Sequence, residues 1–155
     1  MVGRYEIEIY NNKLHYRLEV KRNITIIQGN SATGKTTLIN LISEYERLGN
    51  GSGITLICEK DCVVLPSSRW QEYIGETKDS IIFVEENLPF IRTREFAESV
   101  ISSDNYFVII YRDSLPFLPY SIEEIYGIRE DRESQKYIKN FTLKRLSHIA
   151  KSVKS

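Results

Sequence analysis

Three short apolar runs constrain the fold of this chain more than any other feature: Ile24-Thr25-Ile26-Ile27, Ile81-Ile82-Phe83-Val84 and Tyr106-Phe107-Val108-Ile109-Ile110-Tyr111. Each is too short for a buried helix. Each is also bounded by turn-forming or charged residues and rich in β-branched or aromatic side chains, the pattern of strands covered on both faces. Helical signals separate them. After Gly34, the residues Leu38, Ile39, Leu41, Ile42 and Tyr45 recur on one helix face, and Gly49-Asn50-Gly51-Ser52-Gly53 ends that helix. A second helix is predicted over 93–102. Strand, helix, strand, helix, strand implies crossover connections, so the expected fold is α/β with a mainly parallel sheet flanked by helices.

The remaining segments are expected to decorate that core. Tyr5, Ile7 and Ile9, then Leu14, Tyr16, Leu18 and Val20, alternate with polar residues around the turn Asn11-Asn12-Lys13, which predicts an N-terminal β-hairpin. Ile54 to Cys58 and Cys62 to Leu65 read as a second hairpin joined by Glu59-Lys60-Asp61. Ser121 precedes Ile122-Glu123-Glu124 as a helix cap, with Glu124 completing a capping box. From 134 to 155 the chain carries six basic residues, Lys136, Lys139, Lys144, Arg145, Lys151 and Lys154, and no acidic one. Ile138, Thr142, Leu146, Ile149 and Val153 recur there at helical spacing, which predicts a basic amphipathic C-terminal helix packed on, or extending from, a domain over 1–133. Its basic face is either simply solvated or a contact for nucleic acid or an acidic protein.

Composition excludes several classes. Lys plus Arg and Asp plus Glu both number 21, so the chain as a whole is no electrostatic trap for nucleic acid; its first 133 residues offset the basic segment. No apolar run approaches the roughly 18 to 20 residues that cross a bilayer, and the start MVGRYEIEIY lacks a signal-peptide pattern, so a cytoplasmic protein with no membrane partner is expected. Cys58 and Cys62 have no nearby histidine to complete a zinc set, His15 and His148 being remote in sequence, and they read as ordinary strand residues rather than metal ligands or a redox pair, disulfides being rare in cytosolic proteins.

The chemistry is concentrated at the end of the first apolar run. Gly29, Asn30, Ser31, Ala32, Thr33, Gly34, Lys35 and Thr36 fit G-x-x-x-x-G-K-[ST] at every fixed position, between a predicted strand and a predicted helix. Such glycines let successive backbone N–H groups and a helix start surround phosphate oxygens. Lys35 is then expected on the β- and γ-phosphates, Thr36 on Mg²⁺, and Thr37 adds a hydrogen bond. The second apolar run ends in Glu85 and Glu86, expected to hold Mg²⁺ and to polarise an attacking water respectively. The plainer alternative is a pair of acids at the solvated end of a strand. The third run ends Tyr111-Arg112-Asp113. Arg112 is either a sensor of the γ-phosphate or the partner of a structural ion pair.

Taken together, the hairpin, the loop from Gly29 to Thr37, the helix over Leu38-Ile39-Asn40-Leu41-Ile42 and the Glu85-Glu86 pair resemble a minimal P-loop NTPase core of the ABC and AAA type. In the ABC type, a His-Asp pair often follows where this chain has Arg112-Asp113. The resemblance implies an ATP-dependent function, a parallel P-loop core and a possible homodimer. Two of the family's parts are missing from the sequence: the Leu-Ser-Gly-Gly-Gln-like signature and the inserted helical subdomain. No Asn-Lys-x-Asp sequence supports guanine selection, so ATP with Mg²⁺ is the expected ligand. The leading expectation is a slow ATPase acting as a nucleotide-dependent switch on a protein or nucleic-acid partner. The alternatives are a small-molecule or nucleotide kinase, to which Arg92, Arg94 and Arg112 would contribute, and a non-hydrolysing module that binds a host or partner protein.

Overall fold

The computed structural model describes residues 1–28, 34–113, 115–119, 124–131 and 138–146. Among the described residues, nine strands form one sheet: β1 (Tyr5–Tyr10), β2 (Leu14–Val20), β3 (Ile24–Ile27), β4 (Thr55–Ile57), β5 (Asp61–Val64), β6 (Ser80–Val84), β7 (Tyr106–Ile110), β8 (Ile125–Asp131) and β9 (Lys139–Arg145). The helices are α1 (Lys35–Leu48), α2 (Trp70–Glu76) and α3 (Arg94–Ser102), with a short 3₁₀ turn at Gly49–Ser52.

The strand order is β4-β1-β2-β9-β8-β3-β7-β6-β5. From β8 to β5 every pairing is parallel, so the three apolar runs lie side by side as β3, β7 and β6. From β4 to β8 the pairings are mixed: β4 with β1, β1 with β2 and β9 with β8 are antiparallel, and β2 with β9 is parallel. Side-chain patterning follows this division. In β6 and β7, Ile81, Phe83, Tyr106, Val108 and Ile110 point into the core under α1, whereas Ile82, Val84, Phe107 and Ile109 join the core under α2 and α3. Both faces are covered, which is why these strands are continuously apolar. In β1 and β2 only Ile7, Ile9, Tyr16, Leu18 and Val20 are buried, against α1, and the intervening positions are polar.

The order also dictates curvature. β4 and β5 are the two edges of the sheet, yet Ile57 and Asp61 are four peptide bonds apart, a reach of at most about 15 Å. Eight inter-strand spacings laid flat would hold those edges about 38 Å apart. The sheet is therefore curled, with α1 packed on β5, β1 and β4.

Several expectations are corrected here. The fold is not a mainly parallel α/β P-loop NTPase core flanked by helices, but a mixed, curled, nine-stranded sheet with three helices and more strand than helix. The basic C-terminal helix is absent over 139–145, which is β9, inserted between β2 and β8. Its sequence KNFTLKR supports both periodicities, but the helical stripe leaves out Phe141 and Leu143. The strand instead packs both into the core beneath the hairpin, and β2 supplies the pairing edge. Ile125–Asp131 is likewise strand β8; the cap residue Ser121 lies outside the described residues. Finally, β4 and β5 do not pair with each other, since β4 joins β1 and β5 joins β6.

Candidate functional site

The first five residues of the glycine motif, Gly29, Asn30, Ser31, Ala32 and Thr33, lie outside the described residues. The motif's second half is described. Gly34 has φ of 89°, a left-handed conformation open to glycine at little cost, and its carbonyl accepts the first α1 hydrogen bond, from the Leu38 N–H (3.1 Å). Among the described residues no side chain caps α1, and no acidic residue occupies its first turn, where the positive end of the helix dipole lies.

Lys35 opens α1 and is 1% exposed, an unusual position for a lysine. Burial lowers its pKa, the Glu86 carboxylate acts in the opposite sense and the Arg112 charge adds to the lowering. Lys35, Glu86 and Arg112 therefore share one electrostatic neighbourhood. Strand direction explains why: β3, β6 and β7 are parallel, so the residues just beyond their carboxyl ends, and the start of the helix that follows β3, gather on one side of the sheet, at the strand ends. These residues lie just outside the carboxyl ends of the parallel strands. Glu86, with a side chain 20% exposed, forms an ion pair with the more exposed Arg112 at 3.6 Å. The ion-pair alternative considered for Arg112 thus has a concrete partner.

Thr36 and Glu85 are exposed and Thr37 is half-buried. Arg94 lies over the Phe117 ring at 4.6 Å, and Arg92 is exposed. Among the described residues no group of three or more His, Cys, Asp or Glu is placed to hold a metal. A triphosphate-bound Mg²⁺ needs only one or two protein oxygens, the rest coming from phosphate and water, so the hydroxyl of Thr36 and the carboxylate of Glu85 are chemically suited to it.

Two residues at this site were not foreseen. The Tyr16 hydroxyl donates to the Gly34 carbonyl (2.9 Å), and Phe141 stacks on the Tyr16 ring at 4.6 Å. Burial pushes the Tyr16 pKa up to about 12, against a hydrogen bond with the Thr37 side chain. A β-carbon on Gly34 would lie 3.0 Å from the Tyr16 hydroxyl and 3.4 Å from the Phe141 ring. The aromatic pair thus holds the turn into α1 from the β2–β9 side. Tyr16 was legible only as a buried strand residue, and Phe141 belonged to a segment expected to be helical.

The chain matches no protein-family model and no curated protein. No helix among the described residues is long and apolar enough to cross a membrane.

Proposed function

We propose that the chain binds a nucleoside triphosphate, ATP with Mg²⁺, at the turn from β3 into α1. The observation that supports this most strongly is a lysine buried at a helix start, directly after a left-handed glycine, in the field of Glu86 and Arg112. A buried ammonium costs desolvation energy, and a polyphosphate placed against it would offset that cost with charge-assisted hydrogen bonds. Gly34 keeps the backbone close to the ligand, and the N-terminal end of α1 adds to the attraction.

In this reading Lys35 binds phosphate oxygens, and Thr36 and Glu85 would hold Mg²⁺, which supplies charge neutralisation when bound. Glu86 orients a water, and Arg112 exchanges its Glu86 contact for phosphate. Slow hydrolysis and a switch between two states of the Glu86–Arg112 pair follow from that exchange. A macromolecular partner responding to the switch is part of the same proposal.

Calorimetric titration with Mg·ATP is the test. Binding is expected in the parent protein and at least tenfold weaker binding in Lys35→Ala. Glu86→Gln is expected to keep binding and to lose phosphate release. Equal affinity in parent and Lys35→Ala would refute the proposal.

A further inference from the structure

The two cysteines occupy a distinctive place in the fold. Cys58 follows β4 and Cys62 lies in β5, so together they flank the turn that joins the two edges of the curled sheet. Both thiols are free, and both pack at the same core, Cys62 within it and Cys58 against it. They line one cavity of about 640 Å³, together with Lys60 from the turn, Tyr45 and Glu46 from α1 and Tyr73 from α2. Cys62 pairs with Ile81 near the start of β6, so the pair sits toward the amino-terminal ends of the parallel strands, opposite the side that carries Gly34 and Glu86.

The turn is held at several points. The Lys60 ammonium pairs with Asp79 at 2.6 Å and lies 5.5 Å from the centre of the Tyr5 ring, while the Cys62 thiol approaches the Lys60 carbonyl at 3.8 Å. The Cys62 side chain, with the backbone N–H groups of Lys60 and Glu59, lowers the Cys58 pKa to about 7 against burial and the Glu59 charge, while Cys58 and burial push that of Cys62 up. Cys58 is thus half-accessible with a lowered pKa, and Cys62 is buried with a raised one.

We propose that Cys58 and Cys62 are a peroxide-reactive thiol pair, with Cys58 the attacking sulfur and Cys62 the resolving one, that closes into a disulfide across the seam of the sheet. After Cys58 releases its proton, its sulfur attacks one oxygen of hydrogen peroxide. The O–O bond breaks, Cys58 becomes a sulfenic acid and the departing hydroxide takes up a proton to form water. The Cys62 sulfur then attacks the Cys58 sulfur, the S–O bond breaks, and the hydroxide leaves as water with the Cys62 proton. Two thiols and one peroxide become one disulfide and two waters. The product adds a covalent tie between the two ends of the turn that joins the sheet's edge strands.

The test uses the whole, reduced protein, freed of reductant, treated with hydrogen peroxide, alkylated under denaturing conditions and digested with trypsin without reduction. Cleavage after Lys60 places Cys58 and Cys62 on separate peptides unless a disulfide joins them. The expected result is one joined species from monomeric protein, with loss of both free thiols. Cys62→Ser is expected to yield a Cys58 sulfenic acid trapped by dimedone, and Cys58→Ser to leave Cys62 reduced at the same peroxide dose. The proposal is overturned if the wild-type peptides remain separate and alkylated, if the disulfide joins two chains, or if Cys62 oxidises as readily without Cys58. Should either serine variant fail to fold, the wild-type peptide map alone decides.

Discussion

Gly34 carries two constraints at once. Its φ of 89° disfavours any other residue by about 1 to 2 kcal/mol, and a β-carbon would press on the hydroxyl of a buried tyrosine. Gly34→Ala is therefore expected to lower stability by at least that amount, measurable by urea denaturation. Tyr16 gives a pH signature. Its pKa is raised from 10.0 to about 12 in the fold, so the unfolded chain loses the proton first as pH rises. The stability this represents is intact below pH 10 and is lost progressively as pH climbs toward about 12. Denaturation midpoints across that window should fall in the parent and fall less in Tyr16→Phe. That variant should also be less stable at neutral pH by about 0.5 to 1.5 kcal/mol, through loss of the hydrogen bond to Gly34.

The helices show how local chemistry and packing divide the work. α3 starts at Thr93, whose side-chain oxygen accepts from the Phe96 N–H at 3.1 Å, and it buries Phe96, Ala97 and Val100. Thr93→Ala should cost about 1 kcal/mol, readable as a shift in the chemical denaturation midpoint, without disturbing the proposed nucleotide site. α2 has no such side-chain cap; Trp70 anchors it by stacking on Phe90 at 4.4 Å. Among the strands, β3, β6 and β7 were legible because burial on both faces leaves a continuous apolar run. β8 and β9 were not, because Phe141 and Leu143 become a buried face only once β2 offers an edge to pair with. In isolation, 138–149 satisfies a helical period equally well.

The curl of the sheet ties these elements into one object. β9 is an interior strand, paired with β2 on one side and β8 on the other. A chain ending at residue 133 should therefore lose cooperative unfolding and its near-ultraviolet circular dichroism, whereas removal of an appended helix would leave both intact. The same topology explains the outcome at the candidate site. The motif from Gly29 to Thr36 and the pair Glu85-Glu86 were legible because their chemistry is local: glycines, a lysine and acids at fixed offsets from apolar runs. Lys35, Glu86 and Arg112 meet because parallel strands deliver their carboxyl ends to one side of the sheet. Tyr16 and Phe141 meet because β2 and β9 are in register at those two residues, and Cys58 and Cys62 flank a turn that proved to be a seam rather than a hairpin. Short-range periodicity is a property of neighbouring residues, so the amino-acid order was enough to locate the buried strands and the first helix. Sheet order, strand direction and the closing of the two edges depend on which unpaired edges find each other in space, and that choice is made by burial of side chains far apart along the chain.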